Sequence, residues 1–228
     1  MFVKVLIFGA TGMVGQGVLR ECLRAGDVEL VQTVGRTPTG QRHARLRELV
    51  HAEIANLAGR EEELSGFDAC FFCVGATSSG VGEAAYTRVT YDLTLAAANL
   101  LAPLNPGMVF VYVSGAGADS SETSKTMWER VRGKTENALL RLPFRGVYIF
   151  RPGMIQPLDG IRSKTVAYRI FYSLIKPLLP LLKAALPRQV LSTREVGQAM
   201  LAVVRSGAPR RVLESADIGA VARAVRPS

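Results

Sequence analysis

Apolar positions along the chain fall into short unbroken runs separated by stretches where they recur at helical spacing. Phe2 to Phe8 is almost wholly apolar and predicts a buried strand. From Gly12 to Ala25 the residues Val14, Val18, Leu19 and Cys22 predict one apolar helix face. Glu29 to Val34 predicts a second strand. Thr37 to Arg47 reads as a basic loop entering a short helix, and Ile54 to Leu57 as a short third strand. Asp68 to Val74 predicts a fourth strand, apolar as a parallel strand covered on both faces must be. A long helix over Ala84 to Leu101, a strand over Met108 to Val113, a helix over Thr123 to Leu142 and a strand over Gly146 to Phe150 follow. This alternation predicts an α/β fold built on a doubly wound parallel sheet.

The alternation stops after Arg151-Pro152-Gly153. Residues 160–191 are apolar, basic and interrupted by proline. Ser192-Thr193-Arg194-Glu195 has the form of a capping box opening a helix to about Val204, and Asp217 to Val225 predicts a tail helix. We expect one domain over residues 1–228, in which 151–228 builds a small C-terminal cap on the substrate side.

Composition narrows the class. Of the 228 residues 48% are hydrophobic and 21% charged, which excludes a disordered or fibrous chain. The formal net charge of +9 is uneven: residues 1–124 hold 9 basic and 13 acidic side chains, residues 125–228 hold 19 and 6. That split raises nucleic acid, anionic membrane and anionic ligand as partners. Three cysteines are too few for a disulfide framework. Cys70 and Cys73 sit three apart in a strand, so they point to opposite faces and cannot share a metal. No metal site is expected. The apolar N-terminus reads as a strand without a signal-peptide cleavage pattern, and a cytoplasmic protein is expected.

The strongest motif is Gly9-Ala10-Thr11-Gly12-Met13-Val14-Gly15, which follows a predicted strand and opens a predicted helix. Glycines there let the turn close, let backbone N–H groups approach phosphate, and let helix and strand pack closely. A pyrophosphate then faces the positive helix end. NAD sites usually carry an acid at the end of the second strand for the ribose 2′-hydroxyl. Here Val34-Gly35-Arg36 offers a guanidinium instead, suited to a 2′-phosphate. NADP(H) is the expected cofactor, with a solvated surface arginine as the alternative at Arg36. Val74-Gly75-Ala76-Thr77 ends the fourth strand where a ribose can lie against backbone. Asn56-Leu57 could face the adenine, or form an ordinary turn.

These motifs resemble the short-chain dehydrogenase/reductase superfamily. More narrowly, the chain is similar to the atypical NAD(P)H-binding branch related to Tat-interacting-protein-like oxidoreductases and often labelled epimerase/dehydratase-like. The likeness rests on GATGMVG at 9–15, VGR at 34–36, FCVGAT at 72–77, VYVSGAG at 111–117, RGKTENALL at 132–140 and RPGMIQP at 151–157. It implies a Rossmann fold with NADP(H) along the C-terminal strand edge, where Pro152 and Gly153 also lie.

The resemblance further implies a Ser that steadies the substrate oxygen and a Tyr-xxx-Lys pair that moves the proton. Ser114 matches the Ser. In the register of the following helix, Trp128 stands for Tyr and Arg132 for Lys. Tryptophan has an N–H donor but no proton to exchange near neutral pH, whereas arginine keeps the charge and can contact cofactor ribose or phosphate. Tyr172 to Lys176 matches Tyr-xxx-Lys literally but beyond the sixth strand, and reads as coincidence. Two readings stay open. One is an NADPH-dependent oxidoreductase acting on a carbonyl or quinone without the usual pair. The other is a non-catalytic NADPH-binding regulatory or scaffold protein. A third, a membrane-associated adaptor with an empty Rossmann domain, predicts no NADPH binding.

Residues 160–194 carry seven basic side chains and no acid, and Arg162, Arg169, Lys176 and Lys183 recur every seventh residue. Pro177 and Pro180 interrupt any single long helix. A cleft-covering lid, an amphipathic membrane-surface helix over 160–191 and an oligomer or partner surface are the readings; nucleic acid is not expected, for no binding motif appears.

Overall fold

A computed structural model describes residues 2–161 and 189–224. Seven strands form one sheet. They are β1 (Val3–Phe8), β2 (Val28–Gly35), β3 (Leu46–Val50), β4 (Ala69–Phe72), β5 (Val109–Val113), β6 (Gly146–Arg151) and β9 (Val212–Glu214), in the order β3-β2-β1-β4-β5-β6-β9. Every neighbouring pair is parallel, with Phe8 opposite Val34 on one side and Phe72 on the other. The chain reverses its direction of winding between β1 and β4, and the strand ends there leave a crevice.

Both faces are covered, which is why β4 and β5 read as unbroken apolar runs. On one face α1 (Met13–Arg24), α6 (Thr193–Ser206) and α7 (Ser215–Ala224) bury Val18, Leu19, Val196, Met200 and Ile218 against Val5, Ile7, Phe71 and Val111. On the other, α4 (Leu93–Leu104) and α5 (Met127–Leu140) lay Ala97, Ala98, Leu101 and Leu139 over Leu6, Phe8, Phe72 and Phe110. The Phe8, Phe72 and Phe110 rings stack across three strands at centroid distances of 5.2 and 5.9 Å.

Several expectations are corrected. Residues 54–57 are not a strand; β3 lies earlier, at Leu46–Val50, beginning in the last two residues of the stretch expected as a loop and short helix (Thr37 to Arg47). Only Leu49 of that edge strand is buried, so its alternating pattern is weak. The helix expected from Ala84 to Leu101 is present, running without interruption from Glu83 to Leu104 as α3 (Glu83–Thr87), a π-helical turn (Arg88–Asp92) and α4. Residues 190–224 are not a cap. They supply α6, α7 and the sheet strand β9, while Val190–Ser192 (β8) pairs with Met154–Gln156 (β7) in a separate two-stranded sheet. Three-residue strands carry too little periodicity to be read in advance. The Ser192–Glu195 capping box is present in both halves. Cys70 is buried in the core under α4 and Cys73 packs toward the opposite one. The basic stripe from Arg162 to Lys183 and the Tyr172–Lys176 match lie outside the described residues.

Candidate functional site

The first turn is shaped by glycine. Gly9 ends β1 with φ +76°, and a Cβ there would stand 2.8 Å from the Cys73 carbonyl carbon. A Cβ on Gly15 would stand 2.2 Å from the Gly9 carbonyl oxygen, so a side chain would push α1 off the turn. Gly12 N–H donates to Gly9 O at 2.9 Å and closes the loop. No side chain caps the start of α1 and no acid occupies its first turn, leaving its N–H groups to an anion.

A cleft of about 770 Å³ opens from this turn across the C-terminal ends of β1, β2, β4, β5 and β6. Gly9, Thr11, Gly12, Met13 and Val14 line it on the loop side, and Val74, Gly75, Ala76 and Thr77 on the β4 side. Ala10 is buried behind the turn and Gly15 faces its backbone. Arg36, exposed and without an ion pair among the described residues, lines the β2 end beside Gly35 and Thr37. Pro152 and Gly153 close the β6 end. The size, the open helix terminus and the cation at the β2 end fit a dinucleotide. Asn56 and Leu57 do not line the cleft. Leu57 is buried in the core and the Asn56 Oδ1 accepts from Ala58 N–H, because the segment is a turn rather than a strand; Ile54 takes the lining place.

Ser114 follows β5 and lines the cleft, yet its hydroxyl donates to the carboxylate of Glu136. Glu136, fully buried on α5, also accepts from Arg151 Nε at 3.1 Å on each oxygen. Arg151 reaches on to Ser120 Oγ at 2.6 Å and Glu214 at 3.3 Å. The network ties β5, α5, β6 and β9 together below the cleft. With its hydrogen committed to Glu136, Ser114 offers the cleft an acceptor.

Arg132 lines the cleft from α5, and its Nε donates to the hydroxyl of Tyr86 at 2.9 Å. Burial alone would lower the guanidinium's pKa, but the Tyr112 and Tyr86 oxygens and Glu136 more than offset it. Burial pushes the Tyr112 phenol up, against the pull of Arg132. Tyr86, itself buried on α3, escaped the sequence reading; only the folded chain brings it to a helix 46 positions away. Trp128 is half-buried one turn before Arg132 but is not among the cleft-lining residues. Its ring lies against Gly117, where a Cβ would stand 3.1 Å from it. The residue in the register of the expected Tyr therefore packs on the β5–α5 loop.

A seven-stranded parallel sheet in this order, with an open glycine turn at its switch point, defines a Rossmann-type α/β protein. Among solved structures of that fold, the Bordetella bronchiseptica enzyme WbmF in complex with NAD+ superposes with a TM-score of 0.69 at 15% identity, covering 97% of this chain and 76% of that one. An oxidoreductase of the short chain dehydrogenase/reductase family from Burkholderia thailandensis gives 0.68 at 16% identity, with 97% and 93% covered. The chain belongs to the NAD dependent epimerase/dehydratase family, whose model matches residues 5–134. Its relatives include Protein HTATIP2 of Rattus norvegicus, 29% identical over 67% of this chain, of whose length the match spans 62%. Protein FMP52, mitochondrial, of Debaryomyces hansenii is 30% identical over 74% of this chain and 73% of its own length. No helix among the described residues is long and apolar enough to cross a membrane.

Proposed function

We propose that the protein binds NADP(H) and acts as an NADPH-dependent oxidoreductase on a carbonyl or quinone substrate without the usual Tyr-xxx-Lys pair. The observation that carries the cofactor preference is Arg36, an exposed cation lining the cleft at the end of β2, where NAD sites place an acid. The glycine turn and the α1 N-terminus would hold the pyrophosphate, and Val74–Thr77 the adjacent ribose. Pro152 and Gly153 would border the nicotinamide end, where Ser114 and Arg132 line the cleft. Bound there, NADPH supplies a hydride. A quinone fits the missing tyrosine, since its reduced oxygens take protons readily from water.

The test is direct. NADPH should bind tighter than NADH, and Arg36→Glu should weaken NADPH by about 10- to 100-fold while sparing NADH, the range for a charge-assisted pair. Equal loss for both cofactors would sink the assignment. Loss of NADPH absorbance in a panel of carbonyl and quinone compounds then tests turnover.

A non-catalytic NADPH-binding regulator or scaffold is the second reading. It is favoured by the Ser114 hydrogen being held by Glu136 and by Trp128 lying outside the cleft lining. Tight NADPH binding with no turnover on any compound of the panel would decide for it.

A further inference from the structure

The inner end of the cleft holds a cation whose donors are not used up. Arg132 commits Nε to Tyr86, and among the described residues its Nη groups make no hydrogen bond and no carboxylate stands within ion-pair distance. Glu136, one turn further along α5, is already held by Arg151 and Ser114. The Tyr112 and Tyr86 oxygens and Glu136 offset the cost of burying this cation, so the guanidinium keeps its charge while its Nη donors stay available. Tyr86 fixes one edge of the planar fork, which turns the other edge to the cleft. Gly115 keeps that edge open, since a Cβ there would stand 3.3 Å from Nη1.

The neighbouring group has the opposite polarity. Ser114 precedes Gly115 in the chain and presents lone pairs, its hydrogen being held by Glu136. The wall therefore offers the Arg132 fork, which lies against Gly115, and at the preceding residue a hydrogen-bond acceptor, Ser114. A carboxylate with a hydroxyl on the adjacent carbon matches both.

We propose that Arg132, oriented by Tyr86, binds the carboxylate of a small 2-hydroxy or 2-oxo acid, and that Ser114 receives the hydroxyl hydrogen of the hydroxy acid. This assignment rests on the cofactor reading for its place in the site. The cofactor's own phosphates belong at the Gly9–Gly15 turn and at Arg36, on the other side of the switch point, so they leave Arg132 to a second ligand. Tyr86 is a positioning residue, acting through Arg132.

Trp128, the only tryptophan in the chain, lies one turn before Arg132 and reports on this wall by its fluorescence. The full-length protein would be titrated with lactate, its uncharged amide lactamide, and propionate, each with and without saturating NADPH. NADPH binding is read separately, by energy transfer from Trp128. Lactate should bind tightest in at least one arm. Arg132→Gln should cost lactate about tenfold or more and erase its advantage over lactamide. Arg132→Lys, which keeps charge but not the fork, should fall between. Ser114→Ala should erase the advantage of lactate over propionate, and Tyr86→Phe should weaken lactate without changing the order. Matched circular dichroism and urea midpoints would show that each variant is folded. Lactate and lactamide binding alike, lactate binding unchanged in Arg132→Gln, or no lactate binding in either arm would overturn the proposal. Failure of NADPH to bind the unmodified protein would instead overturn the cofactor reading, with the NADPH-free arm still deciding this one.

Discussion

Glu136→Gln is the sharpest probe of how the cleft wall is held. The substitution keeps volume and removes one charge from a pair in which Glu136 is 0% exposed and the Arg151 side chain only 12% exposed. Breaking a buried pair from one side costs ~3–5 kcal/mol, because the remaining charge stays buried without its partner. Two features reduce that figure here. Glutamine retains one acceptor, and Arg151 keeps Glu214 at 3.3 Å, although that carboxylate is 51% exposed and so screened. We expect a loss of ~2–4 kcal/mol, read as a lower urea midpoint at unchanged slope. For a chain of this length it corresponds to a melting temperature lower by about 5–15 °C. The double variant Glu136→Leu/Arg151→Met should lose less than the sum of its two singles, since it leaves no orphaned charge. A change below about 0.5 kcal/mol for Glu136→Gln, or strictly additive singles, would refute the view that this pair is a coupled buried anchor.

Two further outcomes follow from the loops that carry the site. Gly15→Ala forces α1 away from the Gly9 carbonyl, 2.2 Å from the new Cβ, and should cost ~1–3 kcal/mol with weaker NADPH binding; an unperturbed midpoint and affinity would contradict the steric account. Asp119 accepts hydrogen bonds from the Ser121 hydroxyl and from the Ser124, Ser121 and Thr123 N–H groups, which hold its carboxyl at about 2 against an ordinary 3.8. Because the folded value is depressed, its contribution is present above pH 3.8 and is lost as pH falls toward 2. The difference in urea midpoint between the unmodified protein and Asp119→Asn should therefore shrink through that window; a constant difference would argue against it.

Much of this architecture is legible in the order of residues. Buried parallel strands advertise themselves as apolar runs, so β1, β4, β5 and β6 were found within a few residues of their ends. The edge strand β3 and the three-residue strand β9 were not, because an edge faces water on one side and three residues carry no period. The same limit explains the expectation of a cap over residues 151–228, where the described helices α6 and α7 instead cover the sheet. The glycine turn was legible because its chemistry is backbone chemistry, local in sequence. Arg36 was legible for a related reason, as a strand-end residue whose place the topology dictates.

The order of residues alone carries the parallel α/β plan, the glycine turn after the first strand, and Trp128 and Arg132 in the register where the resemblance implies Tyr and Lys. All of these depend on local periodicity or on fixed spacing along one element. What surrounds those two residues is visible only in the folded chain. Folding sets Trp128 against Gly117, joins Arg132 to Tyr86 from a different helix, and gives the Ser114 hydrogen to a buried Glu136 held by Arg151. The direction in which a hydroxyl donates, and which way an arginine fork faces, depend on partners many residues away. The Arg132 fork and the lone pairs of Ser114 come to one cleft wall only once α3, α5 and the end of β5 meet.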